Sequence, residues 1–72
     1  MPVTDRDFKN FAAEMKRLRE AAGLDKYQFA AKVGVSYKHY FNLEQAESRP
    51  SIEVYLSVCR VLGIAKVPLF SA

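Results

Sequence analysis

Helix-breaking residues divide this chain into short segments, and the apolar residues between the breaks follow helical spacing throughout. The breaks fall at Gly23, Gly34, Pro50, Gly63 and Pro68. Between them, apolar residues recur every three or four positions and never alternate, which is typical of amphipathic helices rather than strands. A chain of 72 residues closes one small core and has no room for a second. We therefore predict a single all-α domain over residues 1–72.

The first three predicted helices each follow a residue whose side-chain oxygen can accept a hydrogen bond from a free backbone N–H of the first turn. Thr4, Asp25 and Ser36 cap the first three helices, and glycines end most of them. The predicted helices cover about Asp5 to Ala22, Lys26 to Val33, Tyr37 to Gln45 and Ser51 to Leu62, and a short fifth turn is expected around Val67 to Phe70.

The net charge of +3 is compatible with a polyanionic partner, although the basic residues are spread along the chain. The single cysteine, Cys59, excludes an intrachain disulfide and fits a cytoplasmic protein with a small core cysteine. No apolar run approaches the roughly 20 residues that span a bilayer, and residues 1–7 lack the features of a signal peptide. We expect no membrane association.

No arrangement typical of an enzyme is visible. The chain lacks a paired-acid motif, a nucleophile with a base, a phosphate-binding glycine loop and the spacing of metal ligands. The lone His39 either touches a phosphate or is solvated. We therefore predict no catalysis, no metal, no cofactor and no small-molecule substrate.

The second and third helices, with Gly34 between them, have the framework of a helix-turn-helix. Ala30 is small enough for a close helix crossing, Gly34 permits positive φ, and Val35 can bury itself in the core. Tyr40 and Leu43 provide the inward face of the third helix. This unit is suited to placing one helix in the major groove of DNA.

The opposite face of the third helix carries side chains that can contact bases. On a helical wheel, Lys38, Phe41, Asn42 and Gln45 lie opposite the buried side, with Tyr37 at the edge. Lysine can bond guanine, asparagine can bond adenine, and an aromatic edge can contact a thymine methyl group. A merely solvated face is the alternative, but exposed Tyr37 and Phe41 do not favour it.

Four stretches of the chain resemble the Cro/C1-type (XRE-like) family of phage and bacterial repressors. They are Lys16-Arg-Leu-Arg-Glu-Ala-Ala-Gly-Leu, Phe29-Ala-Ala-Lys-Val-Gly-Val-Ser, Leu43-Glu44 and Arg49-Pro-Ser. The resemblance covers about residues 15–64, with residues 1–14 extending the first helix and residues 65–72 forming a short C-terminal turn. It implies a compact five-helix, lambda-repressor-like domain that binds operator DNA as a dimer.

The resemblance also implies roles for individual residues. Tyr37, Lys38 and Asn42 match base-contacting positions, and the helical wheel adds Phe41 to them. The positions expected to contact the DNA backbone are Lys26, Gln45, Ser48 and Arg49. Ala46 stands where the family usually has glycine, and because alanine disfavours positive φ, we expect the turn there to differ.

Arg19 lies on the apolar face of the first helix, where an arginine needs a carboxylate partner. Glu44 is the natural partner, and members of the family commonly pair these two positions. The alternative is a phosphate contact by Arg19.

The fourth helix is apolar nearly all round. Ile52, Tyr55, Leu56, Cys59 and Leu62 form one stripe, which we predict to face inward. A helix with a second apolar stripe needs a further cover, and we predict a homodimer through that stripe and the C-terminal segment. The tail folding back over the valines is the alternative. The predicted interface residues are Val54, Val58, Val61, Leu69 and Phe70.

These observations favour a transcriptional regulator, expected to be a repressor that binds an inverted-repeat operator as a homodimer. The alternative is an antitoxin-like subunit, or another protein-interaction module on the same fold, for which DNA binding is secondary.

Overall fold

The computed structural model describes residues 4–65, which form four helices and no strand. The helices are α1 (Asp5–Ala21), α2 (Lys26–Val33), α3 (Tyr37–Glu44) and α4 (Ile52–Leu62). The prediction of an all-helical fold is confirmed, and each helix ends close to its predicted bounds. The fifth turn expected around Val67 to Phe70 lies outside the described residues. No helix within residues 4–65 has the length and apolarity to cross a membrane.

The helix starts form as the sequence predicts. Thr4 and Asp7 exchange side-chain and backbone hydrogen bonds, with Asp7 N donating to Thr4 Oγ1 at 3.3 Å and Thr4 N donating to Asp7 Oδ2 at 2.9 Å. Asp25 and Gln28 make the same reciprocal pair at the start of α2. Each pair satisfies two backbone donors that have no partner within the helix. Ser36 and Ser51 cap α3 and α4 through one bond each.

One hydrophobic core joins the four helices. α2 and α1 each pack against both α3 and α4. Phe29 of α2 meets Tyr40 of α3 edge to face with ring centroids 5.2 Å apart, an arrangement that stabilises aromatic pairs beyond their buried area. The buried members of the core are Phe11, Met15, Phe29, Ala30, Val33, Tyr40, Leu43, Val58 and Cys59.

The predicted inward stripe of α4 is right in part: Cys59 is buried, and Tyr55 and Leu62 pack partly against the core. Ile52 and Leu56 were expected inside, but they are 69% and 54% exposed. Val58 was expected at a dimer interface, but it is completely buried in the core of one chain and cannot reach a partner. Val54 and Val61 also pack partly against the core. The helical wheel contains two apolar stripes, and α1 and α2 cover residues of both of them.

The outcome for the predicted dimer contacts follows from this orientation. The three valines of α4 serve the core, so the exposed apolar side chains of α4 are Ile52 and Leu56. The other two predicted contacts, Leu69 and Phe70, lie outside the described residues.

A buried ion pair ties the C-terminal end of α3 to α1. Arg19 Nε donates to Glu44 Oε2 at 3.1 Å, and the two side chains are only 7% and 2% exposed. Arg19 Nη1 also donates to the Leu24 carbonyl oxygen at 2.7 Å, in the connection to α2. Burial opposes the charge on Arg19, but the Glu44 carboxylate outweighs it and raises the pKa of the guanidinium. One arginine thus joins three segments of the chain.

The Tyr40 hydroxyl lies beside this pair. It is fully buried and has no hydrogen-bond partner among residues 4–65. Burial raises the pKa of Tyr40 well above its usual value, and the Glu44 carboxylate raises it further. Tyr40 therefore stays neutral, and its ring acts as a core side chain.

Removing one member of the buried pair should be more harmful than removing both. Arg19→Met or Glu44→Leu alone leaves a buried charge without its partner, which typically costs about 3–5 kcal/mol. We expect the double variant to recover part of this loss, because no charge is left buried. Recovery should be incomplete, since the Leu24 carbonyl has lost its donor.

The free energy of unfolding of the four proteins, measured by urea denaturation with circular dichroism, tests this expectation. Single variants within about 1 kcal/mol of the parent would show that the pair behaves as an exposed surface pair. Glu14→Leu breaks the exposed bridge to Arg17 and serves as the matched control.

Candidate nucleic-acid interface

The turn between α2 and α3 is built as a helix-turn-helix requires. Gly34 takes φ +93°, in the left-handed region that favours glycine. The N–H groups of Gly34 and Val35 both donate to the Ala30 carbonyl oxygen, at 2.9 and 3.1 Å. Val35 packs partly against the core, and Ser36 then caps α3. These contacts fix the direction in which α3 leaves α2.

α3 has a buried face and an open face. Tyr40 and Leu43 are buried, whereas Tyr37, Lys38 and Phe41 are exposed. Three of the four residues that the sequence predicts to contact bases are therefore exposed, and the fourth, Asn42, is half-buried.

Three aromatic rings lie together on this surface. Tyr27 of α2 stacks on Tyr37 of α3 with centroids 4.1 Å apart and planes 10° apart. Phe41 follows one helical turn later, 6.4 Å from Tyr37. We call Tyr27, Tyr37 and Phe41 the aromatic cluster. These rings are 67%, 36% and 38% exposed.

The sequence did not predict that Tyr27 belongs to this surface. It stands on the outer side of α2, and nothing within that helix indicates that it reaches α3. One feature of the sequence does point to this contact. Tyr27 and Tyr37 are both aromatic and both lie in the first turn of their helices, which are consecutive in the chain.

Lys26 belongs to the same surface. Its Nζ lies over the Phe41 ring, 5.4 Å from the centroid, within the range of a cation–π contact. The sequence predicts a contact between Lys26 and the DNA backbone. The structure places the Lys26 amine over Phe41, so its positive charge lies beside the exposed face of α3.

Arg49 is held by α1 rather than left free. Its Nη2 donates to Asp5 Oδ1 at 2.7 Å, and its guanidinium carbon lies 4.4 Å from the centroid of the Phe8 ring. Both charged side chains are largely exposed, 62% and 86%. Such a pair contributes about 0–1 kcal/mol to stability, so another anion can replace Asp5 at little cost.

The end of α3 departs from what the sequence analysis expects. Ala46 does adopt the left-handed conformation, with φ 60°. Ala46 N donates to the Leu43 carbonyl at 3.1 Å and Glu47 N donates to the Asn42 carbonyl at 2.9 Å, which is the usual Schellman ending. The expectation of a different turn is therefore wrong, because two hydrogen bonds outweigh the strain on one alanine.

The remaining predicted contacts with the DNA backbone lie at this ending. Gln45 is exposed at the C-terminal end of α3, and Ser48 is half-buried. Ser48 N donates to the Asn42 carbonyl at 3.3 Å, which holds the loop against the end of α3. His39 is half-buried on the flank of the same helix.

No carboxylate lies at the N-terminal end of α3, whereas Asp25 caps α2, α1 carries Asp5 and Asp7 in its first turn, and α4 carries Glu53 there. The N-terminal end of a helix has a partial positive charge that such carboxylates neutralise. α3 begins at neutral Ser36 and presents Lys38 in its first turn. An anion approaching α3 from its N-terminal end therefore meets no repulsion from that helix.

Comparison with known proteins agrees with this geometry. A family model described as helix-turn-helix matches residues 15–68. Searches of curated proteins and of solved structures found no match.

Replacing Ala46 by glycine should stabilise the chain. A left-handed residue other than glycine is strained by roughly 1–2 kcal/mol, whereas the added freedom of an unfolded glycine costs about 0.5–1 kcal/mol. We expect Ala46→Gly to raise the free energy of unfolding by up to about 1 kcal/mol. Ala13→Gly is the matched control and should lower it by a similar amount, because Ala13 is an exposed residue inside α1. Equal losses in both variants would contradict the assignment of strain to Ala46.

Proposed function

We propose, from the premise that this chain belongs to the Cro/C1-type (XRE-like) helix-turn-helix family, that it is a transcriptional regulator that binds double-stranded DNA in a sequence-specific manner. The match over residues 15–68 supports the family. The observation that carries the proposal is the open face of α3, which presents Lys38, Phe41 and Asn42 opposite the buried Tyr40 and Leu43.

In this proposal, α3 enters the major groove, which is wide enough for a helix. Asn42 pairs with the two hydrogen-bonding groups of an adenine edge, and Lys38 donates to the acceptors of a guanine. Tyr37 and Phe41 make the apolar contacts. The N-terminal position of Lys38 on α3 places it where helices of this kind meet base edges.

The DNA backbone is contacted at the two ends of the unit. Lys26 stands at the start of α2, and Gln45, Ser48 and Arg49 follow α3. A phosphate oxygen replaces Asp5 as the acceptor for Arg49, since both are anionic oxygens and the existing pair is exposed. Contacts of this kind position the protein on the duplex and make its affinity depend on salt.

The regulator is proposed to act as a homodimer and as a repressor, in the cytoplasm of a bacterium or of a phage-infected cell. Two copies of α3 about 34 Å apart meet successive major grooves of one inverted repeat. Ile52 and Leu56 are the exposed apolar side chains of α4 and the described residues best suited to pair two copies. Repression needs only occupancy of an operator that overlaps a promoter.

Selection of preferred duplexes from a random library tests the recognition face. We expect an inverted repeat to emerge with the parent protein. The double variant Lys38→Ala/Asn42→Ala should lose about 1–3 kcal/mol of discrimination for each base contact removed. The control Lys16→Ala removes one exposed charge from α1 and should keep the same preferred sequence. Full sequence preference in the double variant would disprove the assigned face.

Sedimentation equilibrium of the purified chain tests the dimer. The parent is expected to be dimeric, and Leu56→Asp should be monomeric because it places a charge in an apolar contact. Ala13→Asp adds the same charge to an exposed position of α1 and should remain dimeric. A dimer that survives Leu56→Asp would exclude this face, and a poorly soluble monomer would favour the antitoxin-like alternative with a missing protein partner.

A further inference from the structure

We infer that the aromatic cluster makes this protein a reader of the C5-methyl group of thymine, with Phe41 as the contacting residue and Tyr27 as a positioning residue. This inference rests on the proposed function and specifies which feature of duplex DNA the open face of α3 recognises.

The first observation is where the exposed aromatic side chains lie. Among residues 4–65, the aromatic residues in the exposed class are Tyr27, Tyr37 and Phe41, and all three lie on one surface. Exposing an apolar ring to water is unfavourable, and burying the ring is favourable. A group of exposed rings therefore indicates a contact site rather than a solvated face.

The second observation is the chemistry of Phe41. Its wheel position lies on the open face, between those of Tyr37 and Lys38. Its side chain has no hydrogen-bonding group, so an apposed donor or acceptor of a base would lose its water and gain no partner. The one apolar group that a base pair presents in the major groove is the C5-methyl of thymine. Phe41 therefore gains affinity over thymine and loses it over the other bases.

The third observation is that the rings are already held in place. Tyr27 covers one face of Tyr37 at 4.1 Å, and Lys26 covers one face of Phe41 at 5.4 Å. These contacts restrict the movement of both rings before DNA approaches, which lowers the side-chain entropy lost when a ring packs against a methyl group.

Tyr27 contributes through its ring and through Tyr37. The Tyr27 ring, stacked nearly parallel on Tyr37, restricts the rotamers of Tyr37. Because Tyr37 neighbours Phe41, this also restricts the space next to Phe41. A reading face that is ordered before binding loses less side-chain entropy on binding. Tyr27→Phe keeps this stacking, whereas Tyr27→Ala removes it.

The test uses the duplex obtained by selection and replaces each thymine in turn by deoxyuridine, which removes only the methyl group. For a contacted thymine we expect about fourfold weaker binding in each half-site, the loss that corresponds to one buried methyl group. Thymines outside the contacted position should change the Kd less than twofold.

Protein variants assign the effect to the cluster. Phe41→Ala should bind the thymine and deoxyuridine duplexes equally, and Tyr27→Ala should reduce the discrimination between them. Tyr27→Phe should retain it, as should Lys16→Ala, which changes a charge on α1 and leaves the cluster intact. Circular dichroism shows whether each variant folds, and the deoxyuridine series with the parent protein does not depend on any variant.

The results that would overturn the inference also separate it from the proposed function. If a duplex is selected but no deoxyuridine weakens binding, or if its preferred positions contain no thymine, only the inference fails. If the discrimination persists in Phe41→Ala, Phe41 is not the reader. If no duplex is preferred over a shuffled one, or single strands bind more tightly, the proposed function fails as well.

Discussion

The buried pair of Arg19 and Glu44 is the interaction on which the rest of the architecture depends. It lies at the C-terminal ends of α1 and α3, and the same guanidinium holds the Leu24 carbonyl in the connection to α2. α3 is only eight residues long, and a helix of that length is not stable alone in water. The outer face of α3 therefore keeps a defined orientation because the core holds its inner face and the Arg19–Glu44 pair holds its last turn.

The C-terminal end of α3 is anchored differently from those of its neighbours. α1, α2 and α4 each end in a glycine with positive φ, followed by an apolar residue that packs partly against the core. α3 ends instead at Ala46, which is strained, and exposed Glu47 follows it. Hydrogen bonds to the Asn42 carbonyl hold this ending. The loop to Arg49 is thus ordered by its backbone, and the Arg49 side chain is held by the exposed carboxylate of Asp5.

The surface proposed to meet DNA combines rigid apolar groups with charges that are easily transferred. The stacked pair of Tyr27 and Tyr37 and the lysine over Phe41 order the centre of that surface before any partner arrives. Arg49, by contrast, is held by an exposed carboxylate that a phosphate can replace. Order at the centre favours discrimination between bases, and exchangeable charges at the rim favour affinity for any duplex.

The sequence alone determined the local features, because these depend on neighbouring residues: the four helices, the caps of the first three, the turn at Gly34 and the two faces of α3. It also paired Arg19 with Glu44, since a buried arginine demands a carboxylate. Only the tertiary structure decided which apolar residues of α4 are buried, because burial depends on where α1 and α2 pack, and they cover residues of both stripes but leave Ile52 and Leu56 exposed. For the same reason it alone revealed Tyr27 on Tyr37, a contact between side chains of two helices that neither helix encodes by itself.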